Sequence, residues 1–306
     1  MSDVASFEEL RPKAFAIAYR MLGSVSEAED VVQEAFLRLH AAVKAGERIE
    51  SPRAYLSTVV TRLGIDQLRS ARARRETYVG EWLPEPLLAS GEEEDPARHA
   101  EVADSLSLAF LVLLESLSPE QRAVFLLREV FDYPYDQIAE IVGKSEDNVR
   151  QLAVRARRHV EEGRSRFDAS REQRDELADR FFAAVEEGEL EGLEALLAED
   201  VELHGDGGGK APALARPVFG RDRVARTLQA WWKAGSRFGA TARRVDVNGQ
   251  PGVLLLTPDG QIISVLALDI ADGQVQTLRG IVNPDKLRHL GEVANVRALL
   301  RGGTDS

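Results

Sequence analysis

Apolar residues recur at helical spacing through FEELRPKAFAIAYRML and again through EAEDVVQEAFLRLHAAV, which predicts two amphipathic helices near the start of the chain. Ser26 is the expected cap of the second, with Glu27, Glu29 and Asp30 suited to its positive end. AGERIES breaks the pattern. Ser51-Pro52 then opens a third helix, PRAYLSTVVTRLGIDQLRSARARR, with proline at its first helical position. Residues 76–104 lose the period. Pro84, Pro86, Gly91 and Pro96 stand there among acidic residues and mark a linker, in which WLPEP is an apolar patch expected to dock on another surface. Helical spacing returns in ADSLSLAFLVLLESL, PEQRAVFLLREVFD, YDQIAEIVG and EDNVRQLAVRARRHVEEG, and Ser118-Pro119-Glu120-Gln121 is a strong helix start.

From residue 171 the pattern changes again. Two helices are predicted in DELADRFFAAVEEGELEGLEALLAED, a Gly-rich loop in HGDGGGK and a further helix in GRDRVARTLQAWWKAG. Strand-like runs follow: TARRVDVNG, PGVLLLTPDG, QIISVLALDIADG and QVQTLRGIV. Asn248-Gly249, Asp259-Gly260 and Asp272-Gly273 are hairpin-type turns between them. A curved antiparallel sheet with helices against it is the expected solution. The chain thus divides into an α-helical domain over 1–75, a linker over 76–104, a second α-helical domain over 105–167, an α+β domain over 171–290 and a tail over 291–306.

Composition narrows the function. The chain of 306 residues has no cysteine, so disulfides and Cys-based zinc sites are excluded. MSDVASFEEL lacks a basic segment followed by an apolar run, and no apolar stretch approaches the ~18 residues of a membrane helix. A cytoplasmic protein that does not enter membranes is expected. The net charge of −12 argues against a nucleic-acid binder when taken whole. Its distribution argues otherwise: residues 62–75 carry +4 and 148–166 carry +4, flanking −8 over 76–104.

The second basic cluster falls in YDQIAEIVGKSEDNVRQLAVRARRHV, which has the form of a helix-turn-helix. Ile138, Ala139 and Ile141 pack the first helix, and Gly143 suits a left-handed turn. Ser145 caps the second helix, with Glu146 and Asp147 in its first turn. Val149, Leu152 and Ala153 face inward, whereas Arg150, Gln151, Val154 and Arg155 face a groove. There Arg can read guanine and Gln adenine, while Arg157 and Arg158 grip phosphates. The competing reading of this segment is an amphipathic helical hairpin with a solvated basic face.

Three segments together resemble the extracytoplasmic-function sigma factors of RNA polymerase. AYRMLGSVSEAEDVVQEAFLRLH is similar to the part of sigma domain two that docks on the β′ clamp helices, with Arg20, Asp30, Gln33 and Phe36 at the motif positions. SPRAYLSTVVTRLGIDQLRSARAR is similar to the helix that melts and reads the −10 element. Arg62 and Asp66 hold the family's positions, Arg69 and Arg72 extend the basic face, and Leu63 stands where the family often carries Asn. LSPEQRAVFLLREVFDYPYDQIAEIVGKSEDNVRQLAVRARRHV is similar to sigma domain four. The resemblance implies that it reads the −35 element through Ser145, Asn148, Arg150, Gln151, Val154 and Arg155, with Arg157 and Arg158 beside them. It also implies partners: core polymerase at its β′ clamp helices and β flap, and promoter DNA.

The resemblance extends to the subfamily with a fused SnoaL-like domain, through WLPEP at 82–86, DGGGK at 206–210 and NPDKL at 283–287. It implies a cone-shaped α+β fold, also found in cyclases and ketosteroid isomerase. His204, Asp206 and Asp269 are the polar candidates for acid–base chemistry in such a domain. Asp206 could be a base if burial raised its pKa, but a role in binding the loop's own amides is the better reading. His204 alone is too little for a metal site. We therefore expect no catalytic residue, no metal and no cofactor. A regulatory role is implied instead. Asp206, Lys210, Asn283, Asp285 and Lys286 would form a polar surface against sigma domain two or against the linker at Trp82, Pro84, Glu85 and Pro86, with Trp82 as anchor. Such a chain would need no separate anti-sigma factor and would be monomeric when free. The acidic linker is expected to thread toward a basic channel of the polymerase. The alternatives are a helix-turn-helix regulator with a ligand-sensing third domain, and an enzyme carried on that domain.

Overall fold

The computed structural model describes residues 9–75, 77–88, 105–163 and 170–302. It divides into two compact units. One, helical, comprises 1–77 and 111–164; the other, α+β, comprises 78–110 and 165–306. The linker segment that follows residue 77 therefore belongs with the α+β unit. Its acidic run Glu92–Asp95, expected to thread toward the polymerase, lies outside the described residues.

The helical unit begins with α1 (Arg11–Leu22), α2 (Val25–Lys44) and α3 (Pro52–Arg75). Gly23 ends α1 at φ 66°, and Ser24 then caps α2 by accepting from the Glu27 amide at 3.2 Å. The cap is thus Ser24 and not the expected Ser26. The left-handed turn at Gly23 brings the chain into an extended conformation one residue later, which aims the Ser24 hydroxyl at the first free amides. Ser51 caps α3 as expected, at 3.2 Å from the Ala54 amide. Ile17, Tyr19, Met21, Leu22, Val32, Leu39, Leu56 and Val60 form the buried seam among these helices.

α4 (Leu108–Leu114), α5 (Pro119–Phe125) with a π-helical turn Leu126–Val130, α6 (Tyr135–Val142) and α7 (Glu146–Gly163) follow. Ser118 and Gln121 close a reciprocal capping box at the start of α5.

The α+β unit carries α8 (Arg171–Glu187), α9 (Leu190–Leu196), β1 (Leu197–Asp206), β2 (Val218–Phe219), α10 (Arg221–Ser236), β3 (Thr241–Val247), β4 (Gln250–Leu256), β5 (Ile262–Ala271), β6 (Gln274–Ile281), α11 (Pro284–Leu287) and α12 (Val296–Gly302). The six strands lie in the order β2-β1-β6-β5-β4-β3. The sheet is mixed and not wholly antiparallel as expected, because LAEDVELHGD forms a strand that pairs parallel to β6. The sequence pattern had divided that stretch between a helix and a loop. Asn248-Gly249 and Asp272-Gly273 make two-residue turns with positive φ throughout. Asp259-Gly260 instead sits in a longer loop, closed by Thr257, whose amide and hydroxyl both bond to Gln261. Phe181, Phe182, Leu193, Val224 and Leu228 from the helices pack on Val201, Leu203, Leu268 and Leu278 of the sheet.

Candidate DNA-reading helices and a linker clamp

α6 and α7 form the helix-turn-helix. Val124, Leu127, Tyr133, Ile138, Ile141, Val149 and Ala153 make its core, with Ala139 and Leu152 packed against them. Gly143 turns the chain at φ 66° and its amide bonds to the Ala139 carbonyl. Ser145 accepts from the Asn148 amide at 3.4 Å. On the opposite face Asn148, Arg150, Gln151, Val154 and Arg155 are exposed, Val154 to 67 %. Arg150 is braced. It pairs with Glu146 and lies 4.5 Å over the Tyr135 ring, which fixes the guanidinium before any ligand arrives. Arg157 pairs with Glu129 at 2.5 Å and Arg158 with Glu162 at 2.9 Å, so each has an acidic partner that a phosphate would have to replace.

α3 presents Arg62, Asp66 and Arg69, all exposed. Each is nonetheless engaged. Arg62 donates to the carbonyls of Ile141 and Glu140, both at 2.9 Å, at the carboxyl end of α6. Arg69 joins Asp66 at 3.2 Å and Glu120 at 2.6 Å. The Arg72 side chain lies outside the described residues. On α2, Asp30 and Gln33 are exposed and Phe36 is half-buried. Leu37, which sequence reasoning did not single out, stands 60 % exposed on the same helix. Arg20 differs from these. It is 4 % exposed, donates to the Ala16 carbonyl and lies 5.6 Å over the Phe131 ring. Burial lowers its pKa to about 10, so it remains a cation and acts from inside the unit.

In the α+β unit the three subfamily motifs meet. Asp206, at the end of β1, has no exposed surface and accepts four bonds. They come from the Tyr78 hydroxyl at 2.6 Å, the Leu83 amide at 2.8 Å, the Gly208 amide at 3.0 Å and the Lys286 ammonium at 2.6 Å. Lys286 is 5 % exposed, also donates to the Leu83 carbonyl, and lies 4.2 Å over Trp82 and 5.0 Å over Tyr78. Its charge is thus met by one carboxylate, one carbonyl and two aromatic faces. Asn283 donates to the Tyr78 oxygen at 2.7 Å and caps α11 through the Asp285 amide at 3.1 Å. Burial, reinforced by the bond to Asp206, raises the Tyr78 pKa far enough to keep the phenol protonated. Further along, Pro86 accepts from His289 at 2.8 Å, Leu87 exchanges two backbone-level bonds with Asn248, and Leu88 bridges to Val247 at the sheet edge. Pro84 and Glu85 are buried with them.

The glycines of the loop are explained by proximity. A Cβ on Gly208, whose φ is +55°, would sit 2.2 Å from the Asn283 amide nitrogen and 2.9 Å from the Tyr78 oxygen. The expected polar surface is therefore a buried clamp on the linker in the case of Asp206, Asn283 and Lys286. Lys210 and Asp285 form an exposed ion pair beside it. Tyr78 and Asn248 were missed, since neither sits in a motif and the bonds that employ them span 128 and 161 residues.

His204 bridges the linker residue Glu81 at 2.7 Å and Glu202 at 2.8 Å. Burial alone would lower its pKa, but the two carboxylates outweigh it and the net shift is upward. A folded-state pKa above the ordinary ~6.5 contributes stability below that value and loses it as pH rises through the folded pKa. Denaturant midpoints of this unit should thus fall as pH rises above about 6.5, and the decline should flatten in His204→Gln. Asp269 pairs with Arg279, which burial brings down to about 10. None of His204, Asp206 and Asp269 lines the apolar cavity of this unit, so no acid–base pair faces it. Among the described residues no group of three His, Asp or Glu side chains is placed to hold a metal, and no helix is long and apolar enough to cross a membrane.

The chain matches three protein families: sigma-70 region 2 over residues 7–74, sigma-70 region 4 over 107–160 and the SnoaL-like domain over 178–282. It is 40 % identical over 293 residues to the ECF RNA polymerase sigma factor SigJ of Mycobacterium tuberculosis, covering 93 % of each chain. It is 35 % identical over 289 residues to the probable ECF RNA polymerase sigma factor SigI of the same organism, covering 94 % of this chain and 93 % of that one. The crystal structure of M. tuberculosis SigJ superimposes with a TM-score of 0.73 at 37 % identity, over 93 % of this chain and 98 % of that one.

Proposed function

This chain belongs to the extracytoplasmic-function RNA polymerase sigma factors that carry a C-terminal SnoaL-like domain, and from that premise we propose how its residues divide the work. α2 docks core polymerase through Asp30, Gln33 and Phe36, with Leu37 adding apolar contact, and Arg20 supports that helix pair from within. α3 reads the −10 element through Arg62, Asp66, Arg69 and Arg72, and α7 reads the −35 element. The observation that carries this reading is the exposed face of α7, where Arg150, Gln151, Val154 and Arg155 project together from a packed helix-turn-helix.

Arg62 has two occupations. Its bonds to Ile141 and Glu140 hold α3 against α6 within the helical unit, and reading DNA requires that they be exchanged for bases or phosphates. The clamp on residues 78–88 supports regulation in cis by the SnoaL-like domain, without a separate anti-sigma factor and without enzyme activity. We place the protein in the cytoplasm, monomeric until it meets core polymerase.

Run-off transcription with purified core polymerase and a genomic promoter pool tests the division of labour. Discrete transcripts should require the full-length chain and should change in yield when the chain ends near residue 167. Arg150→Ala should cost about 1–3 kcal/mol at cognate promoters, roughly 5- to 150-fold, and relax the preference at one −35 position. Arg158→Ala should weaken binding evenly across sequences and flatten the salt dependence. An even loss from Arg150→Ala would remove the base-reading role.

A further inference from the structure

The α+β unit contains a cavity of about 280 Å³ that none of the contacts above employs. Phe181 and Phe182 of α8, Trp231 and Trp232 of α10 and Phe238 supply its aromatic walls, and Val296 and Leu300 of α12 close one side. Trp231 and Leu300 are among the few large apolar side chains left exposed, at 42 % and 41 %, and they stand at the cavity's rim.

We propose that this cavity is a binding site for a neutral, apolar small molecule about the size of a bicyclic aromatic ring system. Its chemistry excludes a charged ligand. The one ionisable side chain in the lining, Glu186, is neutralised by Arg244 at 2.9 Å, and Arg244 itself lies 4.4 Å over Phe182. The Trp232 indole nitrogen is spent on the Glu186 carbonyl at 3.2 Å. A charge brought inside would lose water and find no counter-charge. Ser264 offers one hydroxyl, enough to orient a single polar group on an otherwise apolar molecule. The size follows from volume, since a cavity of about 150 Å³ lined by apolar side chains stays dry and holds benzene. No acid–base pair faces the space, so the ligand is bound and not turned over.

The site is placed to report occupancy. Gly205 and Val282 line the cavity, and the next residue in each case, Asp206 and Asn283, holds the linker. The proposal does not depend on promoter recognition.

Titration of the full-length chain with N-phenyl-1-naphthylamine, a neutral fluorescent probe, tests it. Saturable binding of one probe per chain at micromolar concentration is expected. The anionic analogue 8-anilinonaphthalene-1-sulfonate should bind at least tenfold more weakly. Ala242→Phe and Ala234→Phe, each filling the cavity from a different wall, should weaken the neutral probe at least tenfold while keeping a cooperative melt. Non-saturable binding, equal affinity for the sulfonate, or unchanged probe affinity in a folded cavity-filled variant would each overturn the proposal.

Discussion

Lys286→Ala is expected to destabilise the α+β unit by about 3–5 kcal/mol, because it leaves a buried carboxylate without its cation. Asp206 is fully buried and cannot recover water when the ammonium is removed. Its bonds from Tyr78, Leu83 and Gly208 remain, but they offset only part of the charge. All three tryptophans of the chain, Trp82, Trp231 and Trp232, belong to this unit, so denaturant unfolding followed by tryptophan emission reports it directly. The double variant Asp206→Asn/Lys286→Met should lose less than the sum of the two single changes, since it removes the charge together with its partner. In Lys286→Ala the Leu83 amide should also exchange with solvent at least a hundredfold faster. A loss below about 1 kcal/mol, the scale of an exposed pair, would show that the clamp is not electrostatic.

Arg122→Ala is expected to cost the helical unit about 3 kcal/mol or more. Arg122 is 1 % exposed and donates from α5 to the Arg20 carbonyl at 3.1 Å, while Glu115 accepts its second nitrogen at 2.5 Å. Burial brings its pKa down to about 9, so it is still charged at neutral pH. Truncation leaves the Arg20 carbonyl without that donor and opens a void between region two and region four. Arg122→Met keeps most of the volume and should lose about half as much. Hydrogen exchange at the amides of Ile17–Leu22 measures both, and equal losses for Ala and Met would assign the whole effect to the hydrogen bonds.

Helices, caps and the helix-turn-helix were legible in the sequence because their causes are local. The spacing of Ile138, Ile141, Val149 and Ala153 declares a core face by itself, and Gly143 and Ser145 declare the turn. β1 was illegible because its decision is distant. LEALLAED has good helix formers, yet Leu197, Val201 and Leu203 are buried as a strand by pairing with β6 more than 70 residues later. Ser26 lost the cap to Ser24 because the turn at Gly23 sets the frame, a matter of two residues that composition does not resolve. At the clamp, WLPEP, DGGGK and NPDKL showed which segments matter but not that they converge on a single buried ion pair. The burial of Arg20 was likewise hidden, since its cover includes Phe131 from another region.

The clamp also has a history within each molecule. Tyr78 waits for partners 128 and 205 residues further along, Asp206 and Asn283. At about 5–20 residues per second of synthesis, that delay runs from roughly 6 to 40 s. Both promoter-reading regions leave the ribosome within that interval. Every nascent chain therefore passes through a stage in which regions two and four exist and the latch does not. A product released by stalling before residue 286 would stay at that stage, with Trp82 and Leu83 lacking the surface built to cover them.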